Sequence, residues 1–354
     1  LQHILQRRIA ALKDHVHSIL QQDIRNYDGR EINKLDLSTI PKQAYERSMH
    51  PTPKDWFHFP TELTTLSNMF TPSSVQLAGV SHLIRITFTL KKPYISLDDD
   101  AFYIIDNPVV KDTVLKVPII RPTTLKGALR YAAMKTMIVD STLTDLDFYV
   151  NDRVKLVKLF GSEKGTVEDF LDNQFRRKLG EKEGVRAVQV FKERMKQDVS
   201  ESGMREGRLI FYPVFFDSIG LDVIAPHNRK TRTVAEMGPI FFETVPGGAQ
   251  GTFSLLYFPF DLLPALRSED SAAKEKAIEE IQEDLAVLKE AIPAMLLTYG
   301  FAAKKTSGYS IAEDKIEFSI DSNEIKGHGF SEFKDQLACI IKKSGEFDAK
   351  QSIS

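Results

Sequence analysis

Ile84, Ile86, Phe88 and Leu90 alternate with Arg85, Thr87 and Thr89, a period of two that predicts a strand with one buried face. Two more strands are expected over Arg208–Phe216 and Thr252–Phe260, and a last one where Ile316, Phe318 and Ile320 alternate with polar neighbours. Elsewhere the period lengthens to three and four. Ile278, Ile281, Leu285, Leu288, Ile292 and Met295 form the stripe of a long helix with acidic residues on its outer face. Pro293 should kink its last turn and Gly300 should end it. A shorter helix is expected from about Leu125 to Ile138, with Thr123 and Thr124 as caps. Ile4, Leu5, Ile9, Leu12, Val16 and Ile19 make another helical stripe near the start of the chain.

In chain order, residues 82–320 therefore run strand, helix, strand, strand, helix, strand. The expected class is α+β, with a modified ferredoxin-like or RRM βαββαβ core. A helical and irregular extension covers 1–80, including a stretch over about 40–72 rich in Pro, Thr and His around Trp56 and Phe57. That stretch reads as an arm packing on its own domain or as a partner-binding arm. The core spans 81–320 with a charged helical insertion at about 142–200 and a hairpin at about 222–246, and a C-terminal tail covers 321–354. RNA-recognition domains use this order of elements, and so do many unrelated enzymes, so it says nothing of function.

Composition narrows the class. Cys339 is the single cysteine, which excludes a disulfide framework and any zinc site built on several thiolates. No apolar run reaches the ~18 residues of a membrane span, and no hydrophobic signal segment opens the sequence, so a soluble protein of the reducing cytoplasm, with no membrane partner, is expected. The net charge of −2 lacks the basic excess of a typical nucleic-acid binder. Any RNA surface must be local, balanced by acidic helices elsewhere.

Three segments depart from what packing alone requires. The first joins Asp106-Asn107-Pro108-Val109-Val110-Lys111-Asp112 to Pro118-Ile119-Ile120-Arg121-Pro122-Thr123-Thr124-Leu125-Lys126-Gly127-Ala128-Leu129-Arg130. A helix opening on free N–H groups, with Arg121, Lys126 and Arg130 nearby and Gly127 allowing close approach, suits a phosphate. It also reads as an ordinary capped helix with solvated cations. The second, Ala225-Pro226-His227-Asn228-Arg229-Lys230-Thr231-Arg232-Thr233, gathers His227, Arg229, Lys230 and Arg232 on one loop, as a phosphate backbone or a solvated surface would have it. The third, Gly300 to Tyr309, sets Lys304 and Lys305 between glycines, with Tyr309 available to stack on a base. Alone, its Gly300 is no more than a helix C-cap.

Together and in this order, the segments resemble the RAMP superfamily of CRISPR-associated proteins, in particular backbone and capping subunits of type III effector complexes. The likeness includes Leu159-Phe160-Gly161 followed by Glu206-Gly207-Arg208-Leu209. It continues in Leu221-Asp222-Val223-Ile224-Ala225-Pro226-His227 with Gly238-Pro239-Ile240-Phe241-Phe242-Glu243. It covers about 82–320. The chain departs from the family pattern at Pro122-Thr123-Thr124, where Gly-Ser-Ser is usual, and at Tyr94–Asp100, which lacks the usual glycines. Ser310 stands where a glycine follows the tyrosine, and residues 1–75 match nothing in the pattern.

The resemblance implies a subunit that grips guide RNA (crRNA) through phosphate and 2′-OH contacts, pairs it with target RNA, and assembles with other effector subunits. The RNA-binding candidates it implies are Arg121, Lys126, Arg130, His227, Arg229, Lys230, Arg232, Lys304, Lys305 and Tyr309. Asp106 occupies the position implicated in cutting target RNA. There it would hold a divalent cation such as Mg2+ or orient the attacking 2′-OH. Asp-Asn-Pro also caps turns, so a binding-only or filament-capping subunit is the alternative. A guide-processing endoribonuclease with His227 as general base is a third reading, weakened because no histidine lies between 83 and 226.

Overall fold

The computed structural model describes residues 57–58, 80–98, 107–113, 115–139, 145–162, 170–198, 205–224, 240–303, 308–321 and 325–344. The helical stripe at 1–23 lies outside them, as do Asp106, the basic loop 225–239 and the lysines at 304–305.

The strands are β1 (Phe57–His58), β2 (His82–Leu90), β3 (Ile119–Ile120), β4 (Leu209–Phe211), β5 (Val214–Phe215), β6 (Ser218–Ile224), β7 (Ile240–Thr244), β8 (Gln250–Tyr257), β9 (Ala312–Ile320) and β10 (Ile325–His328). The helices are α1 (Pro122–Met134), α2 (Leu146–Phe160), α3 (Phe170–Leu179), α4 (Glu181–Asp198), α5 (Leu263–Arg267), α6 (Ser271–Pro293) and α7 (Gly329–Ser344). Five strands form the main sheet in the order β10-β9-β2-β8-β4, with every neighbouring pair antiparallel. The protein is thus a mixed α+β structure built on antiparallel sheets.

The alternation read at 84–90 sets the core. Ile84, Ile86, Phe88 and Leu90 of β2 are buried, and they pack with Leu125 and Leu129 of α1, Ile281, Leu285 and Leu288 of α6, and Phe333 and Leu337 of α7. Each such side chain removed from water contributes roughly 1.5–3 kcal/mol, so one face of the sheet and three helices are held together by apolar transfer. Residues 321–354, expected to be a tail, instead include β10 and α7. Phe330, Phe333, Leu337 and Ile340 supply the helical stripe that buries α7 against β9 and α6.

Proline accounts for the other differences from the sequence expectation. The strand expected over Arg208–Phe216 breaks in two at Pro213, which cannot donate to a ladder. Before the break β4 pairs with β8, and after it β5 pairs with β3 in a separate ribbon. At Pro293, α6 does not simply kink. The chain continues as a π-helix over Ala294–Tyr299, whose wider turn accommodates a residue lacking an N–H, and Gly300 ends it at φ 71°. The first helix starts earlier than expected, with Pro122 at its first turn and Arg121 as the N-cap. Thr123 and Thr124 lie inside that turn and do not cap it.

Two of the sequence motifs meet at the end of α2. A Cβ on Gly207 would lie 2.5 Å from the Leu159 carbonyl oxygen, so glycine permits the backbone of the Phe160-Gly161 step to touch the entry to β4. The next residue, Arg208, is almost completely buried. It donates to Asp261 (2.8 and 2.5 Å), Glu280 (2.9 Å) and Asp284 (2.7 Å), tying β4 to the segment after β8 and to α6. A buried guanidinium is tolerable with that many acceptors and very costly without them.

Candidate nucleic-acid interface

The first-strand loop folds onto the hairpin formed by β6 and β7. Glu243 of β7 is the hub: its carboxylate accepts from the Val109 N–H (3.2 Å) and forms a buried ion pair with Lys111. Asn107 donates its side-chain amide to the Phe241 carbonyl (3.0 Å), while the Glu243 N–H donates to the Asn107 carbonyl (2.9 Å). The Asn107–Lys111 part of the motif is therefore clamped to the Phe-Phe-Glu motif. Lys111 and Glu243 were not among the residues singled out from the sequence. The legible signal was that each is a charged residue directly following an apolar pair, Val109-Val110 or Phe241-Phe242.

The other side of this loop returns toward β2. Val110 N–H donates to Ser96 Oγ (2.9 Å), and Lys111 N–H donates to Asp98 (3.3 Å). Tyr94 exchanges backbone hydrogen bonds with Val245 and stacks its buried ring near Phe301 and Phe216. Between this segment, the start of α1 and the junction after Gly300 lies a cleft of about 400 Å3. Its wall runs through Tyr94–Leu97, Arg121, Thr124, Gly127 and Ala128, and Phe301–Ala303.

Arg121, Thr124 and Gly127 recur along one face of α1 and bring it to the cleft. The Arg121 side chain is 60% exposed, with its guanidinium 4.0 Å from Asp98, loose enough to turn toward an anion. Gly127 has no atom within 4 Å of a built Cβ, so the helix surface there is open to the cleft. Lys126 and Arg130, four residues apart, share a different face of α1 and do not line it.

The third segment is also placed. Tyr309 donates its hydroxyl to Asp222 of β6 (2.9 Å). Partial burial, and then the Asp222 hydrogen bond and charge, push the phenol up to about 12, so it remains a donor. Its hydroxyl thus ties Tyr309 to the hairpin. Ser310 sits at φ 61°, the left-handed conformation natural to glycine. Its N–H donates to the Pro93 carbonyl (3.0 Å), and its carbonyl accepts from Phe301 N–H (3.2 Å). Of the ten RNA-binding candidates, Arg121, Lys126, Arg130 and Tyr309 lie among the described residues. His227, Arg229, Lys230, Arg232, Lys304 and Lys305 lie outside them, as does the catalytic candidate Asp106.

Carboxylates bordering the site are committed to protein donors: Asp98 to Lys111 N–H, Asp112 to Leu115 N–H (2.7 Å), Asp222 to Tyr309, and Glu243 to Lys111. Among the described residues no group of three or more His, Cys, Asp and Glu side chains could hold a metal ion. Among the described residues, too, no helix is long and apolar enough to cross a membrane.

Comparison with known proteins agrees with the motif order. The profile of the RAMP superfamily matches residues 62–313. The chain belongs to the RAMP superfamily. No curated protein matches the sequence. Among solved structures, a chain of the type III-B Cmr-beta complex bound to cognate target RNA, determined by cryo-EM, shares 14% identity. The match covers 85% of this chain and 82% of that one, with a TM-score of 0.44.

Proposed function

We propose that this protein is the guide-RNA-binding subunit of a type III CRISPR effector complex, and that the cleft beside α1 seats the RNA backbone. The observation that carries this reading is the convergence of two motifs on that cleft. The helix opening with Arg121 and Gly127 meets the Gly300 junction there, while the segment after Asn107 packs alongside. An exposed cation and an open glycine surface suit phosphate and ribose, contacts that ignore base sequence. The sheet order around β2, with α1 and α6 as crossovers, suits a ferredoxin-like core. The loop cations Arg229, Lys230 and Arg232 extend the same grip, and neighbouring effector subunits and target RNA complete the assembly.

In this reading Asp106 orients the 2′-OH of a target nucleotide for attack on its own phosphate. Asn107, its neighbour in sequence, donates its side-chain amide to the Phe241 carbonyl of β7. The test has two arms. Arg121→Ala combined with alanines at Arg229, Lys230 and Arg232 is expected to weaken binding of every single-stranded RNA alike and to flatten the slope of log K against log salt. Unchanged affinity and slope would remove the binding claim. Asp106→Ala in the assembled complex is expected to stop cutting of guide-complementary RNA while target affinity holds. A wild-type complex that binds complementary RNA tightly and never cuts it would leave a binding-only or capping subunit.

A further inference from the structure

The helical insertion carries a feature that the cleft does not use. In α4, Gly184, Ala187, Val188 and Met195 face inward, and the opposite face exposes Lys182, Arg186, Lys192 and Lys196. The stripe is rigidly mounted. Arg153 of α2 forms a buried ion pair with Asp172 of α3, and its guanidinium lies 4.0 Å from the centre of the Phe191 ring of α4. A Cβ at Gly184 would come within 2.5 Å of the Arg176 Cα, so α3 and α4 touch backbone to backbone. With a rise of ~1.5 Å per residue, the four cations extend along roughly 20 Å of surface.

Lys182, Lys192 and Lys196 form no ion pair with any described residue, and Arg186 reaches Glu183 at 3.8 Å. Lys182 with Arg186, and Lys192 with Lys196, are like charges four residues apart, a spacing that destabilises an isolated helix. Glu193 is the acid between Lys192 and Lys196, and Glu181 and Glu183 are exposed beside Lys182 in the first turn. In a chain of net charge −2, this concentration of cations is a local arrangement rather than an overall basic bias. Val185, 37% exposed, is the apolar side chain on this face, so it lacks the aromatic or aliphatic anchors at the centre of protein interfaces. A line of cations without such an anchor suits a polyphosphate backbone.

We propose that the outer face of α4 is a second RNA-contacting surface, which holds the phosphodiester backbone of a segment beyond the one seated at the cleft. This rests on the RNA-binding reading above. The test titrates the full-length protein with a single-stranded RNA of mixed sequence over a series of KCl concentrations. Replacing Lys182, Arg186, Lys192 and Lys196 by Gln is expected to weaken binding about tenfold or more at low salt, and to reduce the slope of log K against log salt by roughly 0.7 for each phosphate no longer neutralised. Glu193→Gln, which leaves the cations in place, is expected to tighten binding.

If neither substitution changes affinity or slope while the Arg229, Lys230 and Arg232 alanines do, the ridge is a solvated surface. The cleft reading would then stand without it. If the Gln variant binds RNA normally but no longer joins the other effector subunits, the face belongs to a protein partner and the proposal is overturned. If the wild-type protein binds no RNA, both the reading and the proposal fail. Thermal melting separates a folding defect from weakened binding, because removing like-charge pairs should leave α4 as stable or more so.

Discussion

Ser310 shows how one backbone conformation can be read as an energy. It holds φ 61° without being glycine, and its buried Oγ has no hydrogen-bond partner among the described residues. The left-handed region costs a non-glycine residue roughly 1–2 kcal/mol, and an orphaned buried hydroxyl adds to that. Ser310→Gly is therefore expected to stabilise the protein by about 1 kcal/mol, net of the extra chain entropy of glycine. Urea unfolding measures it, and an equal or lower midpoint would show that the loop relaxes around serine. Gly127 gives the opposite lesson, because its effects should split in sign. A glycine inside a helix costs roughly 0.8–1 kcal/mol against alanine, and a Cβ there meets no protein atom. Gly127→Ala should thus raise stability by about that amount, yet weaken RNA binding several-fold where a backbone must approach the helix. Tighter or unchanged binding would argue that no ligand comes near α1 at this point. The glycine expected after Tyr309 pointed to the Ser310 conformation, but no sequence signal showed that Tyr309 would be bonded to Asp222.

At the scale of elements, the strand at 84–90 and the long helix at 271–293 were legible because each has a pure period. The break at Pro213 and the π turn after Pro293 were not anticipated. Proline announces that a ladder must change and does not say where the freed strand goes next. The buried cluster around Arg208 was hidden because its acids come from two places far from it in sequence, Asp261 after β8 and Glu280 and Asp284 on α6, and on a helix acids read as a solvated face. That cluster makes stability depend on pH. Burial raises the Asp261 carboxyl, but hydrogen bonds and charge from Arg208 and Arg205 outweigh it and hold the group at about 2. Its folded value lies below the ~3.9 of an unfolded aspartate, so its contribution is complete above about pH 4 and disappears as pH falls toward 2. The stability gap between wild type and Asp261→Asn is therefore expected to be widest above pH 4 and to narrow progressively below it. Denaturant unfolding at a series of pH values checks this, and a gap that stays constant down to pH 2 would mean Asp261 is not ionised against Arg208.

The whole molecule is organised around β2, which pairs with β8 on one side and β9 on the other. Ile84 is opposite Leu255 in one ladder and Ile320 in the other, so both partners lie far along the sequence. During synthesis, at roughly 5–20 residues per second, β2 must wait on the order of ten seconds or more before its second partner has been made. Ile84, Ile86, Phe88 and Leu90 form an apolar strand with two open edges until β8 is made and one until β9 follows, the kind of segment that nascent chains lose to aggregation or hand to a chaperone. The centre of the sheet is thus the first core strand to be made and one of the last to be completed. A ribosome-bound chain truncated before Ala312 is left with the β9 edge of that strand bare.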